Sequence, residues 1–382
     1  WIFALHHDLR ESELFKRTLE TFWTGWKDKI QDYTSKFEWW EITKYKIRLL
    51  WITVGKKLAK ERHITETKLK TQLDSLKNVS DPDVKQITKL EKELNNLWVR
   101  KADGARLRAK VDAYEQGEKS TKYFYSIEKT KGKNKLWLQI KDPDGKIKHG
   151  LDNIMQEQVK FYSKLLKSEG WDASQAKKLL DNIDKHLSVE EKNSCDKKIE
   201  EQEINKVINS LKIDKSPGED GLIAEFYKKF WNLIKDEFMQ VIREIEETNT
   251  LCESMYRGII ALLYKSGDRD EIPNWRPITL LNLDYKIIAK VYAERLKKVL
   301  PSIISDDQKA CIEGRQITDT IRLIQDVIDK TDEEDTEGAI IFLDQQKAFD
   351  RVEWGYVNAC LEKFGFGNTF CKRFNMLYKN AK

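Results

Sequence analysis

One aspartate near the carboxyl end of the sequence, Asp344, lies in a pattern that suits metal chemistry. Asp344 directly follows the apolar residues 340–343, and Asp350 follows soon after. A continuous apolar run of this kind predicts a strand that is covered on both faces, so that its end opens into a cleft. A carboxylate in such a cleft could bind a hard cation through its oxygens. The residues alone equally allow Asp344 to be a helix N-cap that accepts backbone N–H groups.

The elements around these aspartates can be predicted from apolar spacing. Helical spacing runs from Phe349 to Phe364 and stops at Gly365, and residues 316–330 form another amphipathic pattern. Upstream, residues 259–264 predict a buried strand, and Pro277 fixes an extended stretch. A helix capped by Asp284 follows and ends at Pro301. Before these, residues 222–245 carry a long apolar stripe, interrupted only by Glu237.

The first 110 residues predict long helices. Apolar residues recur three and four apart among many lysines, and Asp81-Pro82-Asp83 interrupts the pattern. We expect the tryptophans of this arm to be mostly core residues, namely Trp23, Trp26, Trp39, Trp40 and Trp51. Further on, "LWLQIKDPDGKIKHG" predicts a β-hairpin whose turn is formed by residues 142–145.

The charge of the chain is unevenly distributed. The 382 residues carry a net charge of +5, whereas residues 101–150 alone hold 13 Lys/Arg against 7 Asp/Glu. The same segment contains Tyr123, Phe124, Tyr125 and Trp137, and a basic segment with aromatic rings suits a nucleic-acid partner. A solvated helix face with ordinary core aromatics explains the same composition equally well.

The cysteines and the hydropathy limit the class of protein. The five cysteines are odd in number and form no CxxC pair, which argues against a disulfide framework or a zinc knuckle. They favour a reducing compartment, so we expect an intracellular protein of the nucleus or the cytoplasm. No apolar run is long enough to predict a membrane span or a signal peptide, so no membrane partner is expected. The chain begins with Trp1 rather than Met, and we expect both ends to continue in a longer protein.

Several stretches resemble, in order, the reverse transcriptases of LINE-type non-LTR retrotransposons. "FLDQQKAFDRV" is similar to their first catalytic motif, and "RGIIALLYKSGD" and "NWRPITLLNLDYKIIAKVYAERL" are similar to their two fingers motifs. "DKSPGEDGLIAEFYKKFW" resembles the loop and helix before the fingers, and "DQKACIEGRQITDTIRLI" resembles the segment after them. "RAKVDAYEQGEKSTKYFYSIEK" is similar to the basic stretch that precedes the polymerase part.

The resemblance implies a fold and a division into parts. It implies an α+β chain in which a long helical arm precedes the fingers and the first palm strand and helix of a right-hand polymerase, incomplete at the palm. The corresponding division is a helical arm at 1–110, a basic linker with hairpin and helices at 111–210, a fingers-like region at 211–337 and the start of the palm at 338–382.

The resemblance also implies roles for single residues. The aspartate matching Asp344 binds catalytic metal ions, normally Mg²⁺, and the aromatic residue matching Phe349 excludes a 2′-hydroxyl. Lys265 and Arg276 match basic residues that bind the incoming triphosphate, for which a guanidinium fork is well suited. Arg315 and Lys215 match positions near the template. The implied partners are an RNA template, a DNA primer or target, and dNTPs.

The sequence departs from the family pattern at several points. Glu219 stands where a proline is usual, Ala310 where a glycine is usual, and Glu313 adds an acid near the template path. The family's second catalytic motif, an aromatic-x-Asp-Asp strand, does not occur. We therefore expect this chain alone not to polymerise, because two-metal catalysis needs further carboxylates. The alternative interpretation is a degenerate remnant that acts at most as an RNA- or DNA-binding module.

Overall fold

The computed structural model describes residues 12–79, 83–109, 137–345 and 347–380. The chain divides into two compact units, each built from several segments. Unit 1 comprises Trp1–Lys29, Ile42–Glu157 and Leu263–Arg276, and unit 2 comprises Ile30–Glu41, Gln158–Leu262 and Pro277–Lys382. The division into four consecutive parts made from the sequence stays a prediction.

Long helices dominate the amino-terminal part, as the apolar spacing predicts. They are α1 (Glu13–Trp26), α2 (Lys36–Lys77) and α3 (Val84–Ala109). Ser12 caps α1 by accepting the Phe15 N–H at 3.2 Å, and Asp83 accepts the N–H groups of Lys85 and Gln86 before α3. Within unit 1 the rings of Phe15 and Trp51 pack at 4.4 Å between centroids. The expected tryptophan core is confirmed, since all five residues named above are buried.

The predicted hairpin is confirmed. Strand β1 (Gln139–Lys141) pairs antiparallel with β2 (Ile147–His149), with Ile140 opposite Lys148. The Gly145 N–H donates to the Asp142 carbonyl at 2.9 Å, and Gly145 takes a φ of +80° that a glycine adopts without strain.

Nine helices of the described residues follow this hairpin. They are α4 (Leu151–Leu165), α5 (Ala173–Leu180), α6 (Val189–Asp196), α7 (Glu201–Ser210), α8 (Ala224–Thr248), α9 (Leu283–Ile303), α10 (Ile317–Glu333), α11 (Trp354–Lys363) and α12 (Asn368–Tyr378). The core of unit 2 surrounds α8, whose Phe238 packs against Trp40 at 5.0 Å between ring centroids. The Trp40 indole N–H also donates to the buried Asp284 carboxylate at 3.0 Å.

Both ends of α9 differ from the sequence prediction. The helix begins at Leu283 with Asn282 in the N-cap position, so Asp284 lies inside the first turn instead of capping it. Pro301 lies within the helix, which continues to Ile303. Proline has no backbone N–H, so the helix continues past Pro301 without the hydrogen bond that this residue would otherwise donate.

Strands β3 (Gly258–Tyr264) and β4 (Trp275–Leu281) form a two-stranded sheet. The Lys265 N–H donates to the Asn274 carbonyl at 2.9 Å, while Gly258 approaches Thr279 and Leu281 at the opposite end, so the strands run antiparallel. The strand predicted at 259–264 is therefore present, but it is only partly covered. A sheet of two strands accepts Pro277, because its missing donor lies on an edge.

The prediction of a strand before Asp344 is wrong. Residues 339–345 form no strand, and the apolar side chains at 340–343 are exposed, with Leu343 at 91%. A strand covered on both faces needs neighbouring strands as hydrogen-bond partners for its backbone N–H and C=O groups. No strand among the described residues pairs with residues 339–345. Many helices and few short strands agree with the predicted α+β class, whereas the palm strand is not formed.

No helix among the described residues is both long enough and apolar enough to cross a membrane.

Candidate functional site

Asp344 and Phe349 lie on an exposed stretch of unit 2. Asp344 is exposed in an extended segment, and Phe349 follows in the short 3-10 helix Ala348–Asp350 with 99% of its surface accessible. The structure therefore presents the aspartate and the ring to solvent rather than in a cleft.

Lys347 lies between these two residues and turns inward. Its backbone is left-handed with a φ of 52°, and its ammonium is 4.7 Å from the centroid of the Phe161 ring. Among the described residues this buried ammonium has no hydrogen-bond acceptor, and burial lowers the pKa of Lys347. Burial likewise raises the pKa of Tyr162 to about 12, with a further contribution from the negative charge of Asp350. Lys347 of the motif thus contacts α4, and the charge of Asp350 influences Tyr162 of the same helix, which the sequence analysis did not anticipate.

A metal centre at Asp344 needs more than one carboxylate. Within the described part of the chain, no three His, Cys, Asp or Glu side chains come together in a group that could hold a metal ion. The residues present therefore do not by themselves form the site that the sequence implies.

Lys265 and Arg276 are brought to one end of the β3–β4 hairpin. Lys265 directly follows β3, Arg276 is the second residue of β4, and both are exposed. Because the Lys265 N–H pairs with the carbonyl of Asn274, the two cations are held on neighbouring strands. Both belong to unit 1, whereas the other four candidate residues belong to unit 2.

The loop between these strands is joined to hairpin β1–β2. Lys141 donates through its ammonium to the Asp268 carboxylate at 2.5 Å, and through its backbone N–H to the Asp270 carbonyl at 2.8 Å. The hydrogen bond from Lys141 holds the pKa of Asp268 below its ordinary value, and the same bond raises the pKa of Lys141. Lys141 and Asp268 were not singled out from the sequence, since residues this far apart in the chain carry no local signal of pairing.

Arg315 has a structural role in unit 2. Only 12% of its side chain is exposed. The guanidinium donates to the backbone carbonyls of Pro301, Ile304, Ser305 and Gln308 and to the Asp306 carboxylate. These bonds satisfy carbonyls at the end of α9 and in the loop that follows it. Its predicted contact with a template stays a prediction.

Lys215 lies on the loop before α8. The lysine is exposed, whereas the neighbouring Gly218 is buried against Asn282. The Asn282 amide oxygen accepts the Asp220 N–H at 3.2 Å, and its amide donates to the Ser254 carbonyl at 3.0 Å. The loop is therefore held in place by hydrogen bonds. The contact of Lys215 with a template stays a prediction.

Glu219 is the residue of this loop that departs from the family pattern. Its carboxylate lies 3.4 Å from the Arg257 guanidinium, and both side chains are about half exposed. The substitution thus adds a surface ion pair, a type of contact that contributes little to stability.

Comparison with known proteins identifies a matching family. Residues 265–381 match the family model described as reverse transcriptase (RNA-dependent DNA polymerase). Five of the six candidate residues lie in this range, and Lys215 lies before it.

Individual relatives extend the similarity. Over 99% of its length the chain is 30% identical to the transposon TX1 uncharacterized 149 kDa protein of Xenopus laevis. It is 24% identical over 41% of its length to the retrovirus-related Pol polyprotein from type-1 retrotransposable element R1 of Bradysia coprophila. It is also 28% identical over 41% of its length to a probable RNA-directed DNA polymerase from transposon BS of Drosophila melanogaster. The matches span 29%, 16% and 18% of those three proteins, respectively.

Proposed function

We propose that the chain is part of an RNA-directed DNA polymerase that copies retrotransposon RNA into DNA, because residues 265–381 match the reverse transcriptase family model. The observation that carries the proposal is that the family match includes Lys265, Arg276, Phe349 and Asp344 together. The similarity to the TX1 transposon protein along 99% of the chain supports a transposon origin for the residues before the match as well.

The proposed reaction is nucleotidyl transfer. Reverse transcriptases generally use divalent metal ions, and for this protein we propose Mg²⁺, because Asp344 offers hard carboxylate oxygens. Lys265 and Arg276 would bind the triphosphate of a dNTP, and Phe349 would select against a 2′-hydroxyl. The template would be RNA, with Lys215 and Arg315 beside it, and the primer would be DNA. We place this reaction inside the cell, in the nucleus or the cytoplasm.

The proposed site for the triphosphate can be tested on the chain itself. Binding of dGTP with Mg²⁺ is measured by calorimetry for the natural chain and for a Lys265→Met/Arg276→Met variant. The variant should bind at least about tenfold more weakly, because two charge-assisted contacts are lost. The matched control is Lys89→Met/Lys92→Met, which removes two exposed lysines of α3 in the same unit. Equal affinity of the natural chain and the Lys265/Arg276 variant would reject these roles.

We further propose that residues 1–382 alone do not polymerise. Asp344 is exposed, and the described residues supply no group of metal ligands around it. Purified chain, an RNA template with a DNA primer, dNTPs and Mg²⁺ should therefore give no extension in a gel assay. Extension that Asp344→Ala abolished would show that the chain assembles a complete site, and this part of the proposal would be wrong.

The alternative function is an RNA- or DNA-binding module without catalysis. The basic composition of residues 101–150 favours it, although most of that segment lies outside the described residues, Tyr123, Phe124 and Tyr125 among them. Binding driven by phosphate contacts should weaken steeply between 50 and 200 mM salt, since it releases counterions. An affinity for RNA or DNA that stays constant over that range would argue against this alternative.

A further inference from the structure

The loop at residues 265–274 is closed by its own hydrogen bonds. The Asn274 amide donates to the Asp268 carbonyl at 2.9 Å, and the Trp275 indole N–H donates to the Arg269 carbonyl at 2.9 Å. The Tyr264 hydroxyl donates to the Gly267 carbonyl at 2.6 Å. The loop therefore has a defined shape, with Lys265 as its first residue and Arg276 two residues after its last.

Hairpin β1–β2 and the preceding Trp137 contact this loop in three different ways. The backbone N–H of Lys141 pairs with Asp270, and the ammonium of Lys141 pairs with Asp268. The Gln139 amide donates to the Asp270 carboxylate at 2.6 Å. Beside these contacts, the rings of Trp137 and Trp275 pack at 4.5 Å between centroids. Backbone, charge and ring contacts together link two segments that lie more than a hundred residues apart in the sequence.

We propose that hairpin β1–β2 is a brace that positions Lys265 and Arg276 for a nucleoside triphosphate, with Lys141 as its positioning residue. The inference rests on the proposed function of those two cations. A polyphosphate must meet both at once, so every degree of freedom removed from the loop before binding reduces the entropy lost on binding.

Lys141 also controls the charge of the loop. Asp268, Asp270 and Glu271 place three carboxylates between the two cations in the sequence, and the Lys141 ammonium lies 2.5 Å from the first and 3.9 Å from the last. Without Lys141 these acids would repel a triphosphate bound beside them. Loss of Lys141 is therefore expected to loosen the loop and to make its surroundings more negative.

The test compares Lys141→Met with Lys148→Met. Lys148 belongs to the same hairpin, but it pairs with Glu157 and Asp142 and not with the loop, which makes it a matched control. Two measurements are made on the full chain: hydrogen exchange of the Lys265, Glu271 and Asn274 amides, and binding of dGTP with Mg²⁺. In Lys141→Met the exchange rates of these three amides and the dissociation constant for dGTP should both rise about two- to fivefold. This is the size of effect expected for one partly exposed ion pair. Lys148→Met should leave both unchanged, and Lys141→Arg should restore most of each effect.

Each outcome decides a separate point. Unchanged exchange in Lys141→Met would overturn the brace, whatever the chain binds. Faster exchange with unchanged dGTP affinity would overturn the positioning role and leave the triphosphate site intact. A natural chain that does not bind dGTP would overturn the triphosphate site and with it the purpose of the brace, while the exchange data would still report the contact. Failure of the brace and failure of the proposed function are thus distinguishable.

Discussion

Arg373 and Glu246 form a buried ion pair whose removal should strongly destabilise unit 2. The Arg373 guanidinium lies 3.0 Å from the Glu246 carboxylate, and only 4% and 3% of the two side chains are exposed. Arg373 also donates to the carbonyl of Lys197 at 2.6 Å, and Glu246 accepts the Ile199 N–H at 2.9 Å. The pair therefore joins α12 to α8 and to the residues that follow α6.

The expected magnitude follows from this burial. Arg373→Met leaves the Glu246 carboxylate buried without a counter-ion, which costs about 3–5 kcal/mol in the free energy of unfolding. Changing both residues removes the uncompensated charge and leaves only unpaired backbone groups, each worth about 1–3 kcal/mol at most. The double variant Glu246→Met/Arg373→Met should therefore be more stable than Arg373→Met alone.

The assay is hydrogen exchange of the α8 amides at increasing urea, which measures the opening free energy of that helix directly. Lys363→Met is the control, because its pair with Asp181 spans 3.6 Å and is exposed at 34% and 61%. It should change stability by less than about 0.5 kcal/mol. A loss below about 1 kcal/mol in Arg373→Met, or a double variant less stable than the single one, would contradict the expected cost of an unpaired buried charge.

Four further outcomes are expected. Gly218→Ala should destabilise by at least about 1–3 kcal/mol in urea titration, because a Cβ would lie 2.5 Å from the Asn282 backbone nitrogen; Gly25→Ala, with nothing within 4 Å, is the control. Tyr227→Phe should stay within about 0.5 kcal/mol of the natural chain or stabilise it, because the buried hydroxyl has no hydrogen-bond partner among the described residues; a larger loss would reveal one. Iodoacetamide should modify exposed Cys311 long before Cys371, since burial raises the pKa of Cys371 to about 11 and leaves about one thiolate in 1,000 at pH 8; peptide mass mapping reads the order. Amide hydrogen exchange in the 265–274 loop, corrected for intrinsic rates, should stay constant from about pH 5 to 9 and become faster as the pH falls through the lowered pKa of Asp268. The reason is that a carboxylate with a depressed pKa stabilises the loop only while it is ionised. A corrected exchange rate that stays constant down to about pH 2 would contradict this expectation.

Elements with a strong local pattern were predictable. The stripe of α8 is an example: Phe226, Phe230, Val241 and Ile245 recur at helical spacing, and all are buried. The turn of the β1–β2 hairpin likewise follows from Asp142-Pro143-Asp144-Gly145, whose residue types suit a tight turn. The candidate residues came from the order of the motifs, and their roles remain predictions.

Contacts between distant segments were not predictable. The Lys141 ammonium donates to Asp268, and the Arg315 guanidinium donates to carbonyls near the end of α9. In the sequence, neither residue can be distinguished from a lysine or arginine whose side chain only contacts solvent. The chain has 69 Lys/Arg residues, and each can form an ion pair only with a residue that the fold brings close to it. The spacing of residues along the sequence does not show which of them are brought together.

The segment before Asp344 separates the two kinds of information most clearly. Residues 340–343 are apolar, a carboxylate follows them and the surrounding motif resembles a polymerase, and all of this can be read from the amino-acid types alone. In the folded chain, however, these residues lie exposed and form no strand, which their types do not reveal. The physical reason is that apolar character is a property of the side chains, whereas a strand exists only when a second strand accepts and donates its backbone hydrogen bonds.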